Sequence, residues 1–157
     1  MHARLERFLK LSNVERRALI TALFWLPFSA GGLRIVGYRR WHAWLTSDLP
    51  SPAGPGMTGV ALNKESQDSV RLAARMVQAA AREGLWSGTC LERSLVLWWM
   101  IRRQGLQAEL KIGARKNEGS FEAHAWVEVD DVALNDSEQL HRHYEPFEAS
   151  SPLSTHP

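Results

Sequence analysis

The spacing of apolar residues changes once along the chain, and this change limits the folds that the sequence can adopt. Residues 66–82 place apolar side chains every three or four positions, which predicts an amphipathic helix that Gly84 can end. Residues 89–103 predict a second helix, with Gly105 just beyond its end. After Gly105, apolar and polar residues alternate, and this spacing is typical of half-buried strands.

Three strands are predicted in succession after this change. They are "QAELKIGA" (107–114), "SFEAHAWVEV" (120–129) and "VALND" (132–136). In the second strand, Phe121 and every second residue after it as far as Val129 form an apolar face. The connections between these strands are too short for the crossover helices that parallel strands require. The sequence therefore predicts an α+β fold in which helices pack on a small antiparallel sheet.

The composition of the chain divides it into four segments. These are an N-terminal helical segment (1–46), a proline- and glycine-rich linker (47–62), a core (63–140) and an irregular tail (141–157). Within the first segment we expect two helices, because Pro27 and the Gly31–Gly32 pair interrupt the apolar pattern. The length of 157 residues is that of about one domain.

Composition also excludes several kinds of site. The single cysteine cannot form an internal disulfide, so we expect a reducing cytoplasm. Zinc sites built from four cysteines, or from two cysteines and two histidines, are excluded by count. A net charge of +2 is too small to indicate nucleic-acid binding. The apolar stretch 18–32 is interrupted by Pro27 and is shorter than the roughly 20 residues of a membrane span, so a membrane partner is not expected.

The cysteine lies at the start of a predicted helix. Residues 89–92, Thr-Cys-Leu-Glu, fit the capping-box pattern, which makes Thr89 the N-cap and Cys90 the first helical residue. At that position, free backbone N–H groups and the positive end of the helix dipole stabilise a thiolate and can also hold a developing oxyanion. The position suits a nucleophile. The alternative is a buried cysteine that acts only as a small hydrophobic residue.

One histidine lies within a predicted strand. His124 is on the strand face opposite Phe121 and Val127, beside Glu122 and Trp126. The other five histidines lie in predicted helices or terminal segments: His2, His42, His141, His143 and His156. If the helix that begins at Thr89 packs near His124, the imidazole can reach the thiol and serve as its base. The alternative is a histidine that faces solvent on a half-exposed sheet.

A cysteine–histidine pair needs a third group that orients the imidazole, and the sequence offers two. A two-residue hairpin at Asp130–Asp131 would place Asn135 on the His124 face of the sheet. A three-residue loop would instead place Asp136 directly opposite His124. Asn-Asp is also a common turn pair without any catalytic role, so the residues alone leave both candidates open.

Residues 90–136, "CLERSLVLWWMIRRQGLQAELKIGARKNEGSFEAHAWVEVDDVALND", resemble a known family. The helix start Cys-Leu-x-Arg-Ser, the helix end Arg-Arg-x-Gly, the strand Leu-x-Ile-Gly, the run Phe-x-Ala-His-Ala-Trp-Val-Glu and the final Leu-Asn-Asp occur in order and with matching spacing. This pattern is similar to that of the transglutaminase-like leader peptidases of lasso-peptide biosynthesis. Asp131 departs from it, because relatives commonly have glycine in that turn.

The resemblance implies a papain-like transglutaminase core with the catalytic triad Cys90, His124 and Asp136. It therefore favours the three-residue loop. It implies a cysteine endopeptidase, without metal or organic cofactor, that removes the leader from a ribosomally made precursor peptide. The chain resembles the split form, in which a separate leader-recognition protein presents the precursor and an asparagine-synthetase-type macrocyclase closes the ring.

Two other functions remain compatible with these residues. A transglutaminase-like acyl transferase would use the same triad with an amine as acceptor, and a non-catalytic peptide-binding module could keep the same fold. The role of the N-terminal helices is also open. Their apolar residues and arginines could dock the partner or guide the leader, or the helices could only cover the core.

Overall fold

The structure is a computed structural model that describes residues 10–47, 49–50, 62–117, 120–135 and 144–146. Within these ranges it contains four helices and four strands. The helices are α1 (Asn13–Val36), α2 (Tyr38–Ser47), α3 (Lys64–Glu83) and α4 (Cys90–Arg102), and the strands are β1 (Glu109–Asn117), β2 (Ser120–Val129), β3 (Val132–Ala133) and β4 (Glu145–Pro146).

Helix α1 begins at a capping box and continues further than the sequence predicts. The Ser12 hydroxyl accepts from the backbone N–H of Glu15, and the Glu15 carboxylate accepts from the N–H of Ser12. The predicted break near Pro27 and Gly31–Gly32 is wrong, because the helix continues to Val36 and ends at Gly37. Pro27 lies on the exposed side of α1. We attribute the continuity to the buried side of the helix, where Ala22 and Leu26 pack in the core.

Helices α3 and α4 confirm the two helices predicted after residue 62. Asn63 caps α3, and Gly84 follows its last residue. The apolar stripe of α3, which includes Val70 and Val77, is buried. In α4, nine of the 13 residues are buried, because α1, α3 and the sheet all pack against this helix. Helix α4 is therefore the centre of the core.

The four strands form one antiparallel sheet in the order β3–β2–β1–β4, which confirms the predicted α+β class. In the long β1–β2 pair, Gly113 lies opposite His124. The predicted apolar face of β2 is buried from Ala125 to Val129, where it packs towards α4. Phe121 is 80% exposed, since the start of β2 extends beyond the helices.

The turn between β2 and β3 contains two residues. Asp130 and Asp131 both have positive φ, at 49° and 60°, and Val129 pairs with Val132. The three-residue loop that the family resemblance favours is therefore wrong. Two positive φ values define a type I′ turn, whose twist matches that of the flanking strands, and aspartate tolerates this conformation better than most residues.

Strand β4 comes from the segment predicted to be an irregular tail. Glu145 and Pro146 pair with Ala114 and Gly113 of β1, and Tyr144 before them is buried. Pro146 is tolerated because β4 is an edge strand. Of the predicted tail, only residues 144–146 are described. The segment boundaries at 46, 62 and 140 stay predictions, although α1 and α2 share one hydrophobic core with α3 and α4.

Helix α1 is the one helix in the described part of the chain that is long and apolar enough to cross a membrane. Its most apolar 18-residue window has a mean hydropathy of 1.6, and 22% of that window is buried. Length and composition alone support this statement, and the core helix of a soluble protein meets the same test. Helix α1 differs from a typical core helix because much of its apolar surface is exposed.

We predict opposite effects on stability for alanine substitutions at Gly31, within α1, and at Gly37, which directly follows it. Gly37 has φ 78° and ψ 165°, a conformation that residues other than glycine rarely adopt, whereas Gly31 is helical. An added Cβ meets no atom within 4 Å at either position. Gly37→Ala should lower the free energy of unfolding by about 1–3 kcal/mol through backbone strain. Gly31→Ala should raise it by about 0.5–1 kcal/mol.

Urea denaturation followed by circular dichroism measures both variants under the same conditions. The two alanines are matched controls for each other, because each adds one methyl group in open space. Equal effects of the same sign would contradict a helix that runs through Gly31 and ends at Gly37.

Candidate active site

Cys90 is the first residue of α4, and the predicted capping box is present. The Thr89 hydroxyl accepts from the backbone N–H of Glu92 at 3.2 Å, and the Glu92 carboxylate accepts from the N–H of Thr89 at 2.8 Å. The thiol is half-buried. The N–H of a first helical residue has no partner within its own helix, so it is available to a bound carbonyl oxygen. The thiol and a potential oxyanion donor thus belong to one residue.

Glu92 also fixes the loop that leads to Cys90. This carboxylate is only 5% exposed, and it accepts a second hydrogen bond from Nε1 of Trp86 at 3.0 Å. The Arg34 guanidinium of α1 lies over the Trp86 ring at 5.0 Å. A cavity of about 460 Å³, with mostly apolar walls, lies between α1 and this loop and is lined in part by Leu23, Pro27 and Trp86.

Ser94 joins α4 to strand β2 one helical turn after Cys90. Its hydroxyl donates to the carbonyl oxygen of Ala125 at 2.8 Å and accepts from Nδ2 of Asn135 at 2.7 Å. Asn135 Oδ1 accepts from the backbone N–H of Val127 at 2.9 Å. Because Ala125 directly follows His124, these bonds connect the first turns of α4 to the strand segment that carries the imidazole.

His124 is half-buried on the polar face of β2, as predicted, and two aromatic rings lie against it. The centroid of its ring is 6.1 Å from that of Trp126, with 17° between the planes. The corresponding values for Tyr144 are 5.2 Å and 34°. The two rings cover part of the imidazole, on the face of β2 opposite Val127 and Val129, which pack in the core with α4.

An ion pair extends the same polar face next to Tyr144. Arg115 of β1 binds the Glu122 carboxylate, with 2.6 Å between Nη2 and Oε2, and its guanidinium lies 4.9 Å from the Tyr144 ring centroid. The Tyr144 hydroxyl donates to Glu122 Oε2 at 3.5 Å. The hydrogen bond that the Arg115 guanidinium donates to the Glu122 carboxylate raises the pKa of Arg115, so the guanidinium stays charged.

The two candidates for the residue that orients His124 have different outcomes. An ideal two-residue hairpin would carry Asn135 onto the His124 face, but β3 ends at Ala133. After a further bond from Leu134 N–H to the Val127 carbonyl, the chain bends, and the Asn135 amide binds Ser94 and Val127. Asp136 lies outside the described residues. Its role stays a prediction, as do the roles of Cys90 and His124.

Several residues around the predicted site were not predicted from the sequence pattern. Ser94 could have been predicted, because it lies four residues after Cys90 and therefore on the same side of the predicted helix. Tyr144 had none, since it is a single aromatic residue in a segment without periodicity. Of the other histidines, His42 is described. It stacks on Trp98 at 4.7 Å, where burial lowers its pKa.

Among the described residues, no three His, Cys, Asp or Glu side chains come together as metal ligands would.

The family model of the transglutaminase-like superfamily matches residues 33–149, which is more than half of the chain. No curated protein matches the chain, and no solved structure does.

Proposed function

Since the chain belongs to the transglutaminase-like superfamily, we propose that it is a cysteine peptidase that removes the leader from a ribosomally made precursor during lasso-peptide maturation. One observation carries the peptidase chemistry. A half-buried thiol lies at the N-terminus of α4, and the next turn of that helix is hydrogen-bonded through Ser94 to the residue after His124. The choice of a lasso precursor rests on the resemblance of residues 90–136.

In the proposed reaction, His124 takes the proton of the Cys90 thiol, and the sulfur attacks the carbonyl carbon of the scissile peptide bond. The Cys90 N–H and the dipole of α4 stabilise the oxyanion that forms. The carbon–nitrogen bond then breaks, and His124 passes its proton to the leaving amine. Water attacks the resulting thioester with His124 as base, which releases the leader acid and restores the thiol. These reaction steps consume one water molecule and require no metal or organic cofactor.

Asp136 is the residue we propose to orient the imidazole. It would hold one ring nitrogen and stabilise the imidazolium. The hydrogen bonds of its neighbour support this choice over Asn135. Both polar atoms of the Asn135 side chain already bind groups in the junction between α4 and β2. Asn135 therefore acts in this proposal as part of the scaffold.

The outer side of α1 and α2 is the proposed docking site for a separate leader-recognition protein. We call it the α1–α2 surface, and its exposed apolar side chains are Ile20, Phe24, Phe28, Ile35 and Trp44. The inner side of α1 already covers the core through Ala22 and Leu26, so covering the core does not account for these outer residues.

Charge indicates the chemistry of the partner. Residues 10–47 contain six lysines and arginines and one acidic residue, Glu15, which pairs with Arg75 of α3. Arg17, Arg39 and Arg40 are exposed on the two helices. A complementary partner surface has an apolar centre with carboxylates around it. In this proposal the leader-recognition protein supplies that surface in the cytoplasm, and a ring-closing macrocyclase receives the released peptide.

We predict that Cys90→Ala abolishes cleavage of the precursor, because alanine cannot form the thioester, and that His124→Ala does the same. The assay incubates the enzyme, the precursor and the recognition protein, and mass spectrometry identifies the products. Addition of a primary amine tests the alternative of acyl transfer, since a leader–amine conjugate would show that an amine replaces water. Equal cleavage by wild type and Cys90→Ala would contradict the proposed nucleophile.

A second prediction distinguishes Asp136 from Asn135 as the residue that orients His124. Asp136→Asn should lower kcat by at least about 100-fold and leave stability nearly unchanged. Asn135→Ala should lower the free energy of unfolding by about 1–3 kcal/mol, because the buried residues Ser94 and Val127 each lose a hydrogen-bond partner, with little change in kcat of the folded protein. The reverse pattern would assign the orienting role to Asn135.

A third prediction concerns the α1–α2 surface. Phe24 is 63% exposed, and Phe24→Asp should weaken binding of the recognition protein at least about tenfold in isothermal titration calorimetry. Val132→Asp is the control, since Val132 is 53% exposed but lies in β3. Equal effects would contradict docking at this surface. If the protein does not bind the recognition protein but floats with anionic phospholipid vesicles, the α1–α2 surface binds a membrane instead.

A further inference from the structure

We infer that Tyr144 is a positioning residue for His124, which holds the imidazole plane in the orientation that proton transfer from Cys90 requires. This inference rests on the proposed function. Tyr144 directly precedes β4 and is 8% exposed. Its ring lies against His124, with 5.2 Å between centroids and 34° between planes.

The pairing of the strands explains how a residue next to an edge strand reaches His124. Gly113 of β1 lies between His124 of β2 and Pro146 of β4 in the same row of the sheet. Because glycine has no side chain, the face of the sheet above Gly113 is left open. The Tyr144 ring, which belongs to the neighbouring row with Arg115 and Glu122, can extend across this space to the imidazole.

Contacts other than His124 hold the tyrosine in place. Its hydroxyl donates to Glu122, and the Arg115 guanidinium lies 4.9 Å from its ring while binding the same carboxylate. Two groups on two neighbouring strands, Glu122 of β2 and Arg115 of β1, therefore determine the position of the ring. A ring that is fixed in this way can in turn restrict its neighbour.

The restriction matters because of the geometry of an imidazole. Rotation about χ2 exchanges the positions of the two sides of the ring, and a general base needs one particular nitrogen near the thiol. Trp126 restricts the imidazole from its own strand, with its ring 6.1 Å away and nearly parallel. Tyr144 restricts it from the side of β4. Loss of either ring gives the imidazole more orientations, of which only some are productive.

The single cysteine makes a direct test possible. The rate at which iodoacetamide alkylates Cys90 at pH 7 reports how well His124 activates the thiol, and no second thiol contributes. His124→Ala should slow alkylation at least about tenfold. Tyr144→Leu should slow it about threefold or more and lower kcat with little change in KM. Tyr144→Phe, which keeps the ring, should restore both values to near those of wild type.

Trp98→Leu is the matched control. Trp98 is 6% exposed, comparable with Tyr144, but it stacks on His42 and donates to the Ala108 carbonyl. It should lower the melting temperature of the protein and leave the alkylation rate of the folded protein near that of wild type. If Trp98→Leu slows alkylation as much as Tyr144→Leu, the effect is general destabilisation and the inference is wrong.

The two failures are distinguishable. If His124→Ala leaves the alkylation rate unchanged, the cysteine–histidine pair and the proposed function fail together. If His124→Ala slows alkylation while Tyr144→Leu does not, only the positioning role fails. A spectrum of the His124 ring protons gives a readout that is independent of activity. Tyr144→Leu should remove an upfield ring-current shift that Tyr144→Phe retains.

Discussion

The hydrogen bonds of Ser94 and Asn135 connect α4, which begins at Cys90, to the part of β2 that follows His124. Strand β3 pairs with β2 for only two residues. The backbone carbonyl of Ala125 and the N–H of Val127 therefore have no partner in β3. Ser94 of α4 binds the Ala125 carbonyl, and the Asn135 amide binds the Val127 N–H and Ser94 itself. A buried polar group without a partner costs about 1–3 kcal/mol. These bonds therefore attach the second turn of α4 to the segment of β2 that directly follows His124.

The elements that could be predicted from sequence are those that local signals determine. The capping box at Thr89 and the glycines after α3 and α4 act within a few residues, so the starts and ends of these helices were accessible. The break predicted at Pro27 was wrong because burial of one side of α1 outweighs local propensity. The true break lies at Gly37 and depends on its positive φ. Nothing in the sequence indicates that Gly37, and not Gly31 or Gly32, adopts this conformation.

The parts of the site that could not be predicted depend on contacts between distant residues. The family resemblance favoured a three-residue loop, but the two aspartates adopt a type I′ turn. The argument from ideal register then also failed, because Asn135 leaves the strand direction to bind Ser94. Tyr144 reaches His124 only because β4 pairs with β1 beside a glycine, and no periodic pattern marks such a contact. The positions of Cys90 at a helix start and of His124 within a strand, by contrast, could be predicted from a capping box and an alternating pattern, while their catalytic roles stay predictions.

Helix α1 connects the proposed docking surface with the loop before Cys90. Its outer side carries Phe24 and Phe28, while Leu26 on its inner side lies 3.6 Å from the position of a Cβ added at Gly88. An α-helix with its side chains is about 10–12 Å across. An extended peptide covers about 3.3 Å per residue, so four residues or so would pass from the outer side of α1 to the loop. The cavity between α1 and Trp86 lies on that route. Under the proposed function, a partner bound to the α1–α2 surface would hold the leader within a short length of chain of the loop before Cys90, on a helix that packs directly against α4.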